Sequence, residues 1–285
     1  MVIPNRLDEA LRQAKEELKK AGKDNYALEA ERMMMKITGL SRVQLFLQTD
    51  RILSETELDE LGLFLSQRIN HRPLQYILGE TEFMGLPFLV GEGVLIPRAD
   101  TEILVETVLE QAKKDGMTTI LDMCTGSGCI PIALAHYGGL RTIGADISKD
   151  ALGFARENAM KNNADVLLIE SDLFSALPRE FFGTLDGVVS NPPYIEREVV
   201  RGLMPEVREF EPMNALDGGE DGLDFYKQIV LESKDWLKDK GWLFFEIGYN
   251  QGEAVLGFLE DAGFEACAVK KDLAGLDRVV CGRKR

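Results

Sequence analysis

Four consecutive residues, Asn191-Pro192-Pro193-Tyr194, combine hydrogen-bond acceptors with a stiff backbone. They follow a short apolar run, Val188-Val189-Ser190, that is typical of a buried strand. Each proline fixes its own φ and restricts the residue before it, which predicts a rigid bend at the end of that strand. The Asn191 carboxamide and the Pro192 carbonyl could together accept both hydrogens of a planar amino group, against which Tyr194 could pack flat. The pattern favours chemistry on an amide or aryl amine nitrogen, with Asn191, Pro192 and Tyr194 as catalytic candidates and Pro193 as a further substrate contact.

A second segment, from Asp122 to Gly128, joins a predicted strand to a predicted helix. Gly126 and Gly128 permit a tight turn and a close backbone approach to a ligand. Asp146 ends the next predicted strand, about 20 residues further on, where such folds place an acidic side chain that receives ribose hydroxyls. Asp172 follows a third strand, where it could accept from the exocyclic amine of adenine.

Other interpretations of these two segments remain open. A nicotinamide or flavin dinucleotide is an alternative ligand, but its G-x-G-x-x-G fingerprint requires a glycine or alanine where this chain has Pro131. A glycine pair alone could be a sharp turn, and Asn-Pro-Pro-Tyr alone could be a loop. Since four successive strand ends bear the glycine-rich turn, Asp146, Asp172 and Asn191, a nucleoside site is the favoured interpretation.

The elements that would position these residues follow from hydrophobic periodicity. Apolar residues recur at helical spacing from Leu7 to His71, which predicts a bundle of four or five short helices, and Ser54 to Glu57 fits a capping box. Short apolar segments between Gln75 and Val90 predict a hairpin. Strand-like and helical runs then alternate to the end of the chain, which predicts a mostly parallel sheet covered on both faces. The predicted strands are 119–123, 141–146, 166–170, 187–190, 242–247 and two closing strands, and the predicted helices are 130–137, 149–162, 223–237 and 251–261.

Composition narrows the class of protein. The chain has 285 residues, 45% of them hydrophobic, with no apolar run of bilayer length and no apolar leader at its N-terminus, so a cytoplasmic enzyme without a membrane partner is expected. Its four cysteines form no C-x-x-C pair and it has two histidines, which argues against a metal centre. The formal net charge is −15, and most of the acidic excess follows residue 85. Nucleic acids bind mainly through Lys and Arg, so a nucleic-acid substrate is not expected and a basic protein partner fits better.

The order of the four strand ends resembles the class I S-adenosylmethionine-dependent methyltransferases, whose fold is Rossmann-like with a mostly parallel seven-stranded sheet. The resemblance implies S-adenosylmethionine as cofactor and S-adenosylhomocysteine as product. It also implies that Asp122 and the turn hold the methionine moiety, Asp146 the ribose, and Asp172 with Leu173 the adenine. The implied cofactor-binding residues are Asp122, Cys124, Thr125, Gly126, Ser127, Gly128, Asp146, Ile147, Asp172, Leu173 and Asn191.

Further segments resemble the PrmC/HemK family of protein-(glutamine-N5) methyltransferases. These segments are Gln75–Gly79, Glu82–Gly85, Leu95–Glu102, Glu211-Pro212, Ala215–Gly219 and Phe245–Gly248 with Gln251-Gly252. The resemblance implies methylation of the glutamine in the Gly-Gly-Gln motif of class I peptide chain release factors, hence a role in translation termination. It also places Arg98, Glu102 and Glu246 as possible pocket residues, although Arg98 and Glu102 could belong to a helix cap near Asp100 and Glu246 could be a solvated strand end.

Two residues depart from the family pattern. Cys124 stands where glycine is usual, which should cost little if its φ is negative, and Ala99 stands where proline is usual. Leu173 cannot stack on adenine as an aromatic ring would, so its packing there should be weaker.

The expected organisation has three parts. Residues 1–72 would form a helical substrate-docking domain, 73–92 a β-hairpin linker and 93–285 the methyltransferase domain. An adenine-N6 nucleic-acid methyltransferase is the alternative function, because adenine also presents a planar amine, but such enzymes flip a base and grip phosphates. A non-enzymatic adaptor is the other alternative, and the intact set of motifs argues against it.

Overall fold

The computed structural model describes residues 3–285, so residues 1 and 2 of the predicted docking domain lie outside the described part. The chain divides into two compact units. The first contains the chain up to Gly79 together with Pro205–Phe210, and the second contains Glu80–Met204 and Glu211–Arg285.

The first unit is a helical bundle, as the sequence predicts. Its helices are α1 (Leu7–Lys20), α2 (Tyr26–Thr38), α3 (Arg42–Leu47), α4 (Glu55–Ile69) and α5 (Leu74–Leu78). The buried face of α1 carries Leu7, Ala10, Leu11, Ala14 and Leu18, which recur at helical spacing. The capping box at the start of α4 is confirmed, because the Ser54 side chain accepts from the Glu57 N–H and the Glu57 side chain accepts from the Ser54 N–H.

A buried ionic cluster holds the segment 205–210 in this unit. Arg68 on α4 is buried and binds both carboxylate oxygens of Glu29, at 2.7 and 3.0 Å. Its third nitrogen donates to Glu206 at 2.7 Å, and Lys23 donates to the same Glu206 oxygen at 2.9 Å. The pKa of Glu206 is lowered because hydrogen bonds from Arg68 and Lys23 outweigh its burial. No local sequence pattern indicates this cluster, since its members are far apart along the chain.

The second unit is a twisted sheet with helices on both faces. Its hairpin strands are β1 (Glu80–Phe83) and β2 (Leu86–Leu89), and its sheet strands are β3 (Thr119–Met123), β4 (Arg141–Asp146), β5 (Val166–Glu170), β6 (Leu185–Ser190), β7 (Leu237–Glu246), β8 (Glu265–Lys271) and β9 (Asp277–Arg283). Its helices are α6 (Thr101–Asp115), α7 (Cys129–Gly138), α8 (Lys149–Lys161), α9 (Arg197–Val200), α11 (Asp224–Trp236) and α12 (Gly252–Asp261). The short helix α10 (Pro205–Arg208) belongs to the first unit.

The sheet has seven strands in the order β5-β4-β3-β6-β7-β9-β8. Neighbouring strands from β5 to β7 are parallel, whereas β9 is antiparallel to both β7 and β8. The expected fold, a mostly parallel seven-stranded sheet with a small N-terminal helical bundle, is therefore confirmed.

Side chains on opposite faces of the sheet build two separate cores. Leu121, Val188 and Phe245 pack on the side of α11 and α12, whereas Ile120 and Val189 pack on the side of α6 and α7. This follows from the period of two along each strand, and the burial of both faces explains why the strands read as nearly continuous apolar runs.

The structure differs from the predicted elements in two places. Residues 74–78, inside the predicted linker, form the helix α5 and pack in the first unit, because Leu74, Ile77 and Leu78 join its core. Strand β7 begins at Leu237 rather than Trp242, because Leu237 pairs with Leu185 of β6 before a register shift that separates this pair from Gly187 and Trp242. The β1–β2 hairpin is present within the predicted range. Its strands pair from Glu80 with Leu89 to Phe83 with Leu86, and Met84 and Gly85 form the turn. In residues 3–285 no helix is long and apolar enough to cross a membrane.

Candidate active site

The carboxyl ends of β3, β4, β5 and β6 meet at one edge of the sheet because these strands are parallel. A cavity of about 240 Å³ opens there. It is lined by residues that follow each of the four strands and by the segments 93–101 and 212–215. The predicted residues that line it are Arg98, Cys124, Thr125, Gly126, Ser127, Asp146, Ile147, Asp172, Leu173, Asn191 and Pro193.

Other predicted residues do not line the cavity, although the structure describes them all. They are Glu102, Asp122, Gly128, Pro192, Tyr194 and Glu246. Pro192 is buried, and the Tyr194 carbonyl accepts from Gln251 Nε2 at 3.0 Å. The roles predicted for Pro192 and Tyr194 as substrate contacts therefore stay predictions.

The glycine-rich turn and Asp146 are joined by hydrogen bonds. One carboxylate oxygen of Asp146 accepts from the Gly126 N–H and the other from the Ser148 N–H, each at 2.8 Å. Gly128 has φ +78°, and a Cβ there would lie 3.1 Å from the Ala155 Cβ, so this position favours glycine. The Asp146 carboxylate is thus fixed at the cavity wall, and each of its oxygens has a second lone pair for a ligand.

Asp122 lies behind this wall. It is fully buried, its Oδ2 accepts from Thr125 Oγ1 at 2.5 Å, and its Oδ1 has no hydrogen-bond partner within residues 3–285. Burial, with a smaller contribution from the nearby Asp146 charge, raises the pKa of Asp122. Because Thr125 lines the cavity, Asp122 fixes the orientation of that hydroxyl.

Two residues of the cavity have a left-handed backbone, Cys124 with φ +64° and Leu173 with φ +45°. The condition for a small cost at Cys124, a negative φ, is not met, and a non-glycine residue in this conformation is strained by roughly 1–2 kcal/mol. Burial also raises the pKa of the Cys124 and Cys129 thiols, so both stay protonated and are poor nucleophiles.

These residues fit S-adenosylmethionine. The fixed carboxylate of Asp146 and the exposed Asp172 line the cavity with acceptors and negative charge, and the orphan oxygen of Asp122 lies buried behind the turn. Ribose hydroxyls and an amino group need acceptors, and a positively charged sulfur is favoured by a negative field. Leu95, Ile130 and Leu173 add an apolar lining that suits an adenine ring.

Asn191 follows β6 and contributes its carboxamide to the cavity. Its Nδ2 donates to Thr101 Oγ1 at 3.3 Å, and its side chain favours the ionised form of the Glu246 carboxyl. Because the amino group makes the Thr101 contact, the carbonyl oxygen is the atom left to accept from a ligand.

The three weaker candidates have different surroundings. Arg98 lines the cavity and pairs with the buried Glu211 at 2.5 Å. Glu102 accepts from the Met84 N–H at 2.7 Å, so it joins α6 to the hairpin turn. Glu246 ends β7 but is 1% exposed, so its interpretation as a solvated strand end is wrong.

Several residues that shape the site are not among those predicted from the sequence. Gln251 accepts from the Gly248 N–H at 2.9 Å and donates to the Tyr194 and Gly222 carbonyls, so it ties three loops together. Asn158 on α8 is fully buried and donates to the carbonyls of Leu89 and Ser127. Glu211 and Gln251 stood in segments that carry the family resemblance, but nothing in the sequence marked Asn158.

Comparisons with known proteins cover most of the chain. The family model described as "PrmC N-terminal domain" matches residues 9–79, and the one described as "Methyltransferase small domain" matches residues 98–205. A release factor glutamine methyltransferase from Geobacter sulfurreducens is 43% identical over 267 residues, which are 93% of this chain and 92% of that protein. The same enzyme from Vibrio cholerae is 39% identical over 282 residues, 97% of this chain and 96% of that protein.

Among solved structures, a methyltransferase from Pyrococcus furiosus aligns with a TM-score of 0.54 and 17% identity. The alignment covers 70% of this chain and 90% of that one. At this identity it supports the fold alone.

Proposed function

The chain belongs to the release factor glutamine methyltransferase family, and on that basis we propose that it methylates the N5 amide nitrogen of the glutamine in the Gly-Gly-Gln motif of class I release factors. S-adenosylmethionine is the methyl donor. The observation that supports this most directly is the Asn191 carboxamide at the cavity, whose amino group donates to Thr101 and whose carbonyl oxygen remains for a substrate amide.

The chemistry requires positioning more than proton transfer. The lone pair of a carboxamide nitrogen is delocalised into its carbonyl, so the nitrogen is a weak nucleophile. S-adenosylmethionine, when bound, supplies an electrophilic methyl group on a positively charged sulfur. The carbonyl oxygens of Asn191 and Pro192 would accept the two N–H groups of the glutamine, which fixes its plane and adds electron density to its nitrogen. As the new N–C bond forms, the bond between sulfur and the methyl carbon breaks and leaves S-adenosylhomocysteine. The nitrogen then loses one proton to water or to a nearby carbonyl oxygen.

Asp146, Asp172 and the glycine-rich turn would hold the donor. Asp146 would accept from the ribose hydroxyls and Asp172 from the adenine amine, while Thr125, oriented by Asp122, would contact the methionine part. Arg98 would shape the pocket, since its ion pair with Glu211 joins the lining segment 93–101 to the residue before the lining segment 212–215.

We assign docking of the release factor to the helices before residue 72. A loop glutamine offers few contacts by which one protein could be chosen. The bundle exposes apolar side chains on and after α3, with Val43 67%, Leu47 76% and Ile52 60% exposed. A protein substrate fits the net charge of −15 better than a nucleic acid does, and a release factor acts in the cytoplasm.

The function is tested with radiolabelled S-adenosylmethionine and three acceptors: a release factor, the same factor with its Gly-Gly-Gln glutamine changed to asparagine, and adenine-rich DNA. We expect label on the unaltered factor alone. Label on DNA alone would favour the adenine-N6 alternative and would overturn the proposal.

The role of Asn191 is tested in the same assay. Asn191→Ala should lower kcat by about 100-fold through lost orientation, while the Kd for S-adenosylmethionine from calorimetry changes little. Asn250→Ala, at an exposed position after β7, is the matched control and should retain wild-type kcat. Equal kcat for the two variants would eliminate the proposed role of Asn191.

A further inference from the structure

Glu246 is a buried carboxyl group that the proposed chemistry does not yet use. It is the last residue of β7, beside the end of β6 that leads into Asn191, since Ser190 pairs with Phe245. Its side chain is 1% exposed, and Oε2 has no hydrogen-bond partner within residues 3–285. A buried carboxyl with an unpartnered oxygen is destabilising, so its presence here calls for a function.

The hydrogen bonds around Glu246 have one consistent direction. Asn191 Nδ2 donates to Thr101 Oγ1 at 3.3 Å. A threonine hydroxyl that accepts from Asn191 keeps its own single hydrogen free to point to the nearby Glu246 carboxyl. Both Thr101 and Asn191 favour the ionised form of Glu246. An ionised carboxylate only accepts, so every group that faces it must be a donor.

We propose that ionised Glu246, directly and through the Thr101 hydroxyl, is a positioning residue that fixes which end of the Asn191 carboxamide faces the cavity. The inference deepens the proposed function and rests on it for the identity of the substrate. With Glu246 ionised, the Asn191 amino group points to Glu246 and the carbonyl oxygen points to the substrate. With a neutral group at 246, the carboxamide can turn by 180°, and its amino group would then face the substrate amino group, donor against donor.

Several charged and titratable groups surround Glu246, and their balance sets its ionisation. Burial raises the pKa of Glu246 to about 7, against the hydrogen bonds from Thr101 and Asn191 and the positive charge of Arg278, which favour the ionised form. Asp100 at the start of α6 opposes ionisation, and Arg278 on β9 is itself shared with Asp100 and Asp272. The other groups that interact electrostatically with Glu246 are Tyr194, Tyr226 and Cys129.

The inference predicts a specific pH dependence. Glu246 is ionised above pH 7 and protonated below it, so kcat for methylation should fall as the pH is lowered through about 7. In Glu246→Gln the group at this position no longer titrates, and the pH profile should lose that limb. A residue that only supported the packing of the sheet would not change the pH profile in this way.

The test uses the full chain, a full-length release factor as substrate and pH values from 6 to 9. At pH 8 we expect Glu246→Gln to lower kcat by about tenfold or more, with the Kd for S-adenosylmethionine unchanged within about twofold. Thr101→Val should lower kcat in the same way, and Thr101→Ser, which restores the hydroxyl, should recover part of the loss. Thr107→Val, a buried threonine on the same helix whose hydroxyl donates to the Ile103 carbonyl, is the control and should leave kcat unchanged.

A second readout does not depend on activity. The side-chain ¹⁵N resonance of Asn191, assigned by its disappearance in Asn191→Ala, should shift with a midpoint near pH 7 in the wild type and should not do so in Glu246→Gln. An Asn191 resonance that ignores pH, or a Glu246→Gln variant with wild-type kcat and pH profile, would overturn the inference. If the wild-type chain leaves every release factor unlabelled, the proposed function fails, and the resonance still decides whether Glu246 orients Asn191.

Discussion

Asp146 and Asp172 lie at neighbouring strand ends but differ in how they are held. Both oxygens of Asp146 are bound by backbone N–H groups, so a substitution there would disturb the turn as well as the ligand. Asp172 is exposed at the cavity, so its carboxylate is available to a ligand. Asp172 is therefore the better residue for measuring what an acidic side chain contributes to cofactor binding.

We expect Asp172→Asn to weaken S-adenosylmethionine binding by about tenfold, since a hydrogen bond to a charged group is lost while the fold is untouched. Calorimetry gives the Kd, and Tm should stay at the wild-type value. Asp165→Asn, an exposed aspartate just before the same strand β5, is the control and should bind normally. An equal loss of affinity in both variants would mean that the overall negative charge of the protein, and not a specific contact with Asp172, favours the ligand.

At the residue scale the sequence predicted acceptors at strand ends but missed how they are supported. The positions of Asp146 and Asn191 follow from local pattern, because a short apolar run followed by a polar residue indicates the end of a buried strand. The burial of Glu246 did not, because it depends on the packing of Thr101 and Arg278 from distant parts of the chain around a strand end. The positive φ of Cys124 also escaped prediction, since a residue type other than glycine carries no signal of that conformation.

At the scale of elements, the Asn-Pro-Pro-Tyr segment is held by a neighbouring loop. The Ile195 N–H donates to the Leu216 carbonyl at 3.0 Å, and the Gly218 N–H donates to the Ile195 carbonyl at 2.9 Å. A Cβ on Gly218 would lie 2.7 Å from the Tyr194 Cα and 2.8 Å from the Pro193 oxygen. This backbone-to-backbone approach leaves no room for a side chain.

Gly218→Ala should therefore displace the segment that carries Asn191 and lower kcat by on the order of tenfold to 100-fold, because small misplacements at a reacting centre are costly. The variant is checked by methylation kinetics together with Tm. Gly153→Ala on α8, where a Cβ would meet nothing within 4 Å, should keep full activity and serves as control. Wild-type kcat in Gly218→Ala would show that the segment does not depend on this contact.

The sequence predicted the elements well where one pattern repeats over several residues. Strands β3, β4 and β5 were predicted with the observed bounds, because buried apolar runs between turn residues are unambiguous there. The short helices α5, α9 and α10 were missed, since four or five residues are too few to show a helical period. Their conformation is set by tertiary packing.

At the scale of the whole molecule, the buried carboxyl of Glu246 links stability to pH. Its pKa is about 7 in the folded protein and near 4.5 in an unfolded chain. Between these values the folded state retains a proton that the unfolded state has lost, so this group makes the protein less stable as the pH rises from 4.5 to 7. The effect is on the order of 3 kcal/mol at pH 8.

Glu246→Gln removes that titration. We expect the variant to gain Tm relative to the wild type at pH 8, and to gain much less at pH 5, where the wild-type group is already neutral. Calorimetric scans at both pH values give the Tm of the variant and of the wild type for this comparison. Parallel pH dependence of Tm in the two proteins would show that Glu246 does not titrate in this range.

The docking role of the bundle is best tested on its surface. Deleting residues 1–72 would also remove Lys23 and Arg68, which hold Glu206, so substitutions are cleaner. Val43→Ser with Leu47→Ser should raise the KM for a full-length release factor by about tenfold, through lost apolar burial, and leave the Kd for S-adenosylmethionine unchanged. Leu231→Ser, at a 68% exposed position on α11, is the control. Equal KM for the double variant and the wild type would show that the release factor does not dock on this surface.

The ionic cluster of the first unit has a consequence for biosynthesis. Arg68 lies 138 residues before Glu206, and Lys23 lies 183 residues before it. At ribosomal speeds of about 5–20 residues per second, the helices emerge on the order of 10 s before the glutamate that completes their charge balance. During that interval Glu29 is the only one of these carboxylates available to Arg68, and Lys23 lacks the carboxylate of Glu206. The nascent bundle is thus an unfinished, locally cationic intermediate, and its maturation is timed by the elongating chain.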